Sequence, residues 1–260
     1  MPLTKLVAIA SDHSAESVTE GCKGGGVTKK HMRVPDLIVG FDTETTGLDV
    51  KVERAISYGF CVYRFGQLER SEHFYVVPDR PISEGARKVH GLTTETLESL
   101  RSTASVFSLE DGLTRALSIL QNLHEQGAYI VGANVVRFDL EMMRRSIQSV
   151  SGITLDRAPF NVATLRIIDV IEHDLVIEPG RVVRPRRGLN FLCAHYGVVP
   201  GGHDALNDAR ATIEVFLRQV LHNNGGQMAM EFGPSLQWGR QVMMSGDSRL
   251  GGVRNKLDGW

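Results

Sequence analysis

Apolar and polar positions change rhythm along this chain. Strand candidates come first, at Leu37–Phe41, Ile56–Phe65 and Glu69–Val77, with "FGQ" (65–67) as the turn between the last two. Short turns between them predict an antiparallel meander. The spacing of Val106, Leu109, Leu113, Leu117 and Leu120 then predicts a helix over Ser105–Leu123. "AYIVGAN" (128–134) reads as a short buried strand, Phe138–Ile147 as a helix, and "LRIIDV" (165–170) as another strand. "LNFLCAHYG" (189–197) reads as a short helix closed by Gly197. Asp204–Leu221 is an amphipathic helix, with Leu206, Ala209, Ile213, Phe216 and Val220 inward, and "NNGG" (223–226) stops it. Five strands and these helices predict an α/β fold, a mixed sheet flanked by helices.

The ends of the chain lack such rhythm. Residues 1–34 are polar and glycine-rich and read as a flexible appendage, with order beginning near Pro35. Residues 35–222 form the expected folded domain, and 223–260 a tail.

Composition narrows the classes. With 260 residues and 42% hydrophobic content, one sizeable core plus tails is expected. A net charge of −1 means that a phosphate-backbone partner must be held by a local patch or a tether. Cys22, Cys61 and Cys193 are odd in number and in no CxxC spacing, which argues against a disulfide framework and against structural zinc. No apolar run reaches the length of a membrane span. Together these features read as a cytoplasmic protein.

The chemistry begins at "IVGFDTETTGLD" (38–49), where Asp42 and Glu44 stand two apart as a strand leaves the core. In a strand such positions share a face, so two like charges repel unless something positive compensates. The other reading is a polar turn in which Asp42 bonds nearby amides. Three further places carry polar residues beyond local need: "NVVRFD" (134–139), "HDALNDA" (203–209) and "KVHGLT" (88–93). Singly, Asp139 and Asp208 read as acids near helix starts, and His203 and His90 as surface or core groups. Jointly, strand ends and helix starts converge on one edge of an α/β sheet, bringing Asp42, Glu44, Asp139 and Asp208 together. Four carboxylates in one cleft require cations, and all-oxygen ligation selects Mg²⁺ or Mn²⁺. Two such ions about 3.5–4 Å apart hydrolyse phosphodiesters by in-line displacement.

"DTETTG", "NVVRFD" and "HDALNDA", with "HGLT" between the first two, resemble the motifs of the DEDDh branch of the DnaQ-like 3′-to-5′ exonucleases. The likeness runs from about Asp36 to Leu221. It implies a ribonuclease H-like fold with a mixed five-stranded sheet. It also implies Asp42, Glu44, Asp139 and Asp208 as ligands of two metal ions, His203 as general base, and Thr45 and His90 as contacts to the terminal nucleotide. Two departures stand out: Asn134 to Asp139 is one residue longer than in many proofreading subunits, and "VVRPRRG" (182–188) looks inserted. Asp169 is left out of the site as a capping residue. Arg181, Arg184, Arg186 and Arg187 read either as phosphate contacts or as a solvated loop.

"GGQMAMEF" (225–232) resembles the sliding-clamp-binding peptide that follows the exonuclease domain in proofreading subunits of bacterial replicative polymerases. Gln227, Met230 and Phe232 are its matching positions; the alternative is that the apolar ones cover the domain's own surface. The expected activity is removal of nucleotides from DNA 3′ ends in proofreading or repair, with a sliding clamp and a polymerase as partners. An RNA-trimming enzyme of the same fold and a catalytically silent binding module are the alternatives.

Overall fold

The computed structural model describes residues 32–150, 164–178 and 188–226. Its first three strands form the expected meander: β1 (Leu37–Thr45), β2 (Ala55–Arg64) and β3 (Gln67–Val76). Phe65 and Gly66 both have positive φ, 49° and 75°, which matches the twist of a two-residue hairpin. α1 (Glu84–His90) and α2 (Thr94–Leu100) follow, then β4 (Val106–Phe107) and α3 (Leu109–Glu125). The chain continues through β5 (Tyr129–Gly132), α4 (Asp139–Val150), β6 (Arg166–Asp169), α5 (Val170–Ile177), α6 (Leu189–Tyr196) and α7 (Ala205–Asn223).

The sheet has six strands in the order β4-β3-β2-β1-β5-β6, one more than the five expected. The extra strand, β4, pairs parallel to β3 over Tyr75↔Val106 and Val76↔Phe107. Two residues carry no readable alternation, so the sequence pattern merges them into the following helix. That helix instead starts at Ser108, whose hydroxyl accepts from Asp111 N. β1 also runs further than its apolar stretch, because pairing with β2 continues to Thr45↔Ala55. "DTET" is therefore strand, not a polar turn. α1, α2 and α5 are short and were not anticipated.

Alternation along β1 divides the core. Val39 and Phe41 join Phe60, Phe74, Leu113, Leu120, Leu140 and Met143 on one face. Ile38 joins Val131, Val170, Leu192, Ile213 and Phe216 on the other. α7 lies on this second side, and two glycines let it approach unusually closely. A Cβ on Gly40 would lie 2.1 Å from the Ala209 carbonyl oxygen, and one on Gly59 would lie 2.2 Å from that of Ala205. The fold also extends upstream of Pro35. Val34 is buried, and the Asn224 side-chain amide pairs with both backbone groups of Met32 at 2.9 and 2.7 Å.

Residues 1–31 of the N-terminal appendage, the basic cluster from Arg181 to Arg187, and Gln227, Met230 and Phe232 lie outside the described residues.

Candidate active site

Gly40, Asp42 and Glu44 alternate along one face of β1, and Gly59 is the partner of Asp42 on β2. Because α7 touches the sheet backbone at both glycines, its first turn lands beside the two acids, and that turn carries Asp208. One carboxylate oxygen from each of Asp42, Glu44 and Asp208 falls within 4.8 Å of the others. Gly201, in the loop before α7, is a third close approach: a Cβ there would lie 2.4 Å from Asp208 Oδ1.

Asp139 enters from the other side. Parallel pairing of β1 with β5 ends at Gly40↔Val131. Beyond it, Asp139 Oδ1 at the start of α4 accepts from the Thr43 amide at 3.0 Å and the Thr43 hydroxyl at 2.6 Å. Asp139 is buried and fixed by these bonds. Asp208 Oδ1 is buried with no hydrogen-bond partner.

All four acids hold their protons more tightly than usual. Burial and then the charges of Asp139, Asp208, Glu44 and Asp204 push Asp42 well up. Glu44 is raised to about 8, first by burial and then by Asp208, Asp139 and Asp204. Every charged neighbour acting on this pair is another acid. Burial raises Asp139 to about 7 against the pull of the Thr43 donors. Burial also raises Asp208, opposed by the nearby His203 charge and by the amides of Gly201 and His203. A converging oxygen set with a buried unpartnered oxygen, and with no basic side chain among the described residues opposing the charge of Asp42 and Glu44, fits a hard divalent cation.

His203 stands one residue before the α7 N-cap Asp204, exposed and with φ of 61°. For a non-glycine residue this conformation is uncommon and concentrates at functional sites. His90 differs. The Leu92 amide donates to its Nδ1 at 3.0 Å, so Nε2 carries the proton and donates to the Thr45 carbonyl at 3.0 Å. Both ring nitrogens are thus committed to bracing the end of β1. Burial lowers the His90 pKa, with the Thr45 bond opposing and His203 adding to the shift. The Thr45 hydroxyl donates to the Gly47 carbonyl at 2.8 Å. Asp169 caps α5, its Oδ1 accepting from the amides of Ile171 at 3.0 Å and Asn134 at 3.1 Å, so it belongs to the scaffold.

Sequence reading missed Thr43, Gly40, Gly59 and Gly201. The strand glycines had a signal, since glycine inside a strand often marks a close backbone approach. Thr43 had none, because its donor role depends on where β5 stops.

Residues 39–216 match the family model described as Exonuclease. The chain belongs to this exonuclease family. It is 32% identical over 183 residues to a PolC-type DNA polymerase III of Thermotoga petrophila, covering 70% of this chain and 12% of that protein. It is 27% identical over 212 residues to the DNA polymerase III epsilon subunit of Haemophilus influenzae, covering 74% of this chain and 69% of the relative. The chain thus spans only a small part of the PolC-type polymerases. Exonuclease I in a zinc-bound single-stranded DNA complex superimposes with a TM-score of 0.55 at 20% identity, over 72% of this chain and 41% of that one. Exonuclease I of Methylocaldum szegediense gives 0.54 at 19%, over 83% and 44%. These solved structures establish the ribonuclease H-like fold. Among the described residues no helix is long and apolar enough to cross a membrane.

Proposed function

We propose that this exonuclease domain is a divalent-metal-dependent 3′-to-5′ exonuclease of the DEDDh type. It removes nucleoside 5′-monophosphates from DNA 3′ ends in replication proofreading or repair. The observation that carries this is the convergence of Asp42, Glu44 and Asp208 within 4.8 Å. Kinship with DNA polymerase III subunits supports DNA over RNA as substrate.

Asp42, Glu44 and Asp208 would hold Mg²⁺ or Mn²⁺, with Asp139 serving a second ion. Bound there, such ions supply Lewis-acid polarisation, a more acidic water and a counter-charge for the leaving oxygen. Thr43 keeps Asp139 aimed at the site through its two hydrogen bonds. His203 accepts at a ring nitrogen the proton of the water that attacks the last phosphodiester, and its exposure lets that proton pass to solvent. The Thr45–Gly47 segment, braced by His90, seats the terminal nucleotide. Gln227, Met230 and Phe232 engage a sliding clamp, with the glycines before them as tether, raising the local concentration of 3′ ends.

The test is degradation of 3′-labelled single- and double-stranded DNA and RNA with Mg²⁺ or Mn²⁺. Loss of DNA 3′ nucleotides is expected, abolished by Asp42→Ala, Glu44→Ala or Asp208→Ala without unfolding. Preference for RNA would replace the DNA reading, and no degradation of either would leave a binding module. Activity in excess chelator would overturn the metal mechanism. Binding to a bacterial sliding clamp should vanish in Met230→Ala/Phe232→Ala while digestion of a short oligonucleotide persists. Clamp binding undiminished in that variant would refute the tether.

A further inference from the structure

One edge of the sheet is left largely open. β4 covers only the end of β3, where the Tyr75 amide donates to the Ser105 carbonyl at 2.8 Å and the Val77 amide to that of Phe107 at 3.0 Å. Backbone groups alternate sides along a strand, so the amides and carbonyls of Ser71 and His73 face the same way as those of Tyr75. Among the described residues no strand meets them. The pairing of β3 with β2 is regular from Tyr75 back to Arg70 and slips at Glu69, so the straight part of the open edge covers residues 70–74.

Arg70 and Glu72 project from one face of this stretch, the face that also carries Phe74. A groove of about 480 Å³ on that side is lined by both residues and by Asp111, Arg115 and Asn122 of α3. Arg115 is held over the rings of Phe74 and Phe107, 5.6 and 5.5 Å from their centroids, and pairs with Glu72 at 2.8 Å. Glu72 is thereby fixed beside the edge, with Arg70 two residues away.

We propose that this edge is a dimer interface, in which β3 pairs antiparallel with β3 of a second copy about a two-fold axis at Ser71. In that register Ser71 exchanges backbone hydrogen bonds with Ser71 of the partner subunit, and Arg70 faces Glu72 of the partner subunit. The axis repeats the Arg–Glu pair, so two such pairs flank the centre. Charges on an edge strand ordinarily repel a further strand. Here their signs alternate along one face, which makes the edge complementary to itself in this register. A parallel copy in register would set Arg70 on Arg70 and Glu72 on Glu72. An antiparallel axis at His73 would set Ser71 against Tyr75, whose amide β4 already holds. The ladder is short and its charges are partly exposed, so the dimer is weak and loosened by salt.

The experiment is sedimentation velocity on the full chain, from micromolar to sub-millimolar concentration, at low and high salt. The wild type should pass from monomer to dimer, and higher salt should move that change to higher concentration. Arg70→Glu sets two acids against each other across the axis, and Glu72→Arg sets two bases. Each should weaken self-association by about tenfold or more. Mixed in equal amounts, the two variants should recover a dimer, because one chain then presents two acids and the other two bases. Ser71→Pro removes an outward amide but no bond to β2, so it should be monomeric with an unchanged circular dichroism spectrum. If that variant misfolds, the mixture of charge variants decides. A wild type that stays monomeric throughout, as when another segment of this chain covers the edge, would overturn the proposal. So would charge variants that associate like the wild type, or a mixture no tighter than its components. No readout depends on nuclease activity, so the outcome is independent of the function proposed above.

Discussion

The two ends of α7 hold charged groups in opposite ways. At the first turn, Asp208 meets Asp42 and Glu44, and the charges acting on that pair all have the same sign. At the last turn, His222 and His195 meet Glu178, whose charge opposes that of a protonated imidazole. Each end is locally reasonable, since acids suit a helix N-terminus and histidines its C-terminus. The difference lies in what surrounds them. The C-terminal group can satisfy itself by ion pairing. The N-terminal group cannot, because two glycines press the helix so close that the acids have nowhere to separate. An arrangement that is repulsive alone and tightly built suits a divalent cation.

The strongest way to break this comparison is to lift the first turn off the sheet. Gly40→Ala puts a Cβ about where the Ala209 carbonyl oxygen already lies, 2.1 Å away. Exonuclease activity should fall below detection, and stability should drop by about 1–3 kcal/mol, the range for overpacking. Gly85→Ala, where nothing lies within 4 Å, is the control and should leave activity intact. If Gly40→Ala retained normal turnover, close seating of α7 would not be what assembles the site.

Next in size is His203. Its replacement by Ala should slow turnover by about 10²–10⁴-fold while leaving metal affinity intact, as expected for a positioned base rather than a ligand. His203→Gly should lose activity similarly yet gain stability, because φ of 61° is unstrained for glycine. Loss of metal affinity in either variant, measured by calorimetry, would place His203 among the ligands instead.

The smallest effect is on stability against pH. Glu44 titrates near 8 in the fold against 4.5 ordinarily, and Asp139 near 7 against 3.8. Between those values the folded chain binds more protons than the unfolded one, so stability falls as pH rises. The histidines with depressed pKa, His73, His90 and His173, are largely neutral in the folded state above about pH 6.5 and oppose this mainly at lower pH. Metal-free protein should therefore melt several degrees lower at about pH 8 than at about pH 6.5, and saturating Mg²⁺ should narrow the gap. An identical melting temperature at both values in chelator would mean that the acids are not strained as described.

Much of this arrangement was legible along the chain. Asp42 and Glu44 stood out because a strand period of two puts them on one face, and α7 because its apolar stripe is long. β4 was not legible, since two residues show no period. Nor were α1 and α2, short helices held by caps at Ser83 and Thr93 more than by an apolar face. His90 was legible as a residue of interest but not in its role: only the positions of Leu92 N and Thr45 O show that both its nitrogens brace β1.

By itself, the sequence determined the rhythm of strands and helices, the order of the motifs and the candidate acids and candidate base. These follow from local periodicity and from residue chemistry, which neighbours in the chain already define. Only the tertiary structure decided which acids converge and which one is pinned. It placed Asp208 against Asp42 and Glu44 through Gly40 and Gly59, and tied Asp139 to Thr43 where β5 ends. It also brought His195 and His222 onto Glu178. The physical reason is that such contacts depend on how closely backbones approach across the fold, a distance that no local pattern encodes.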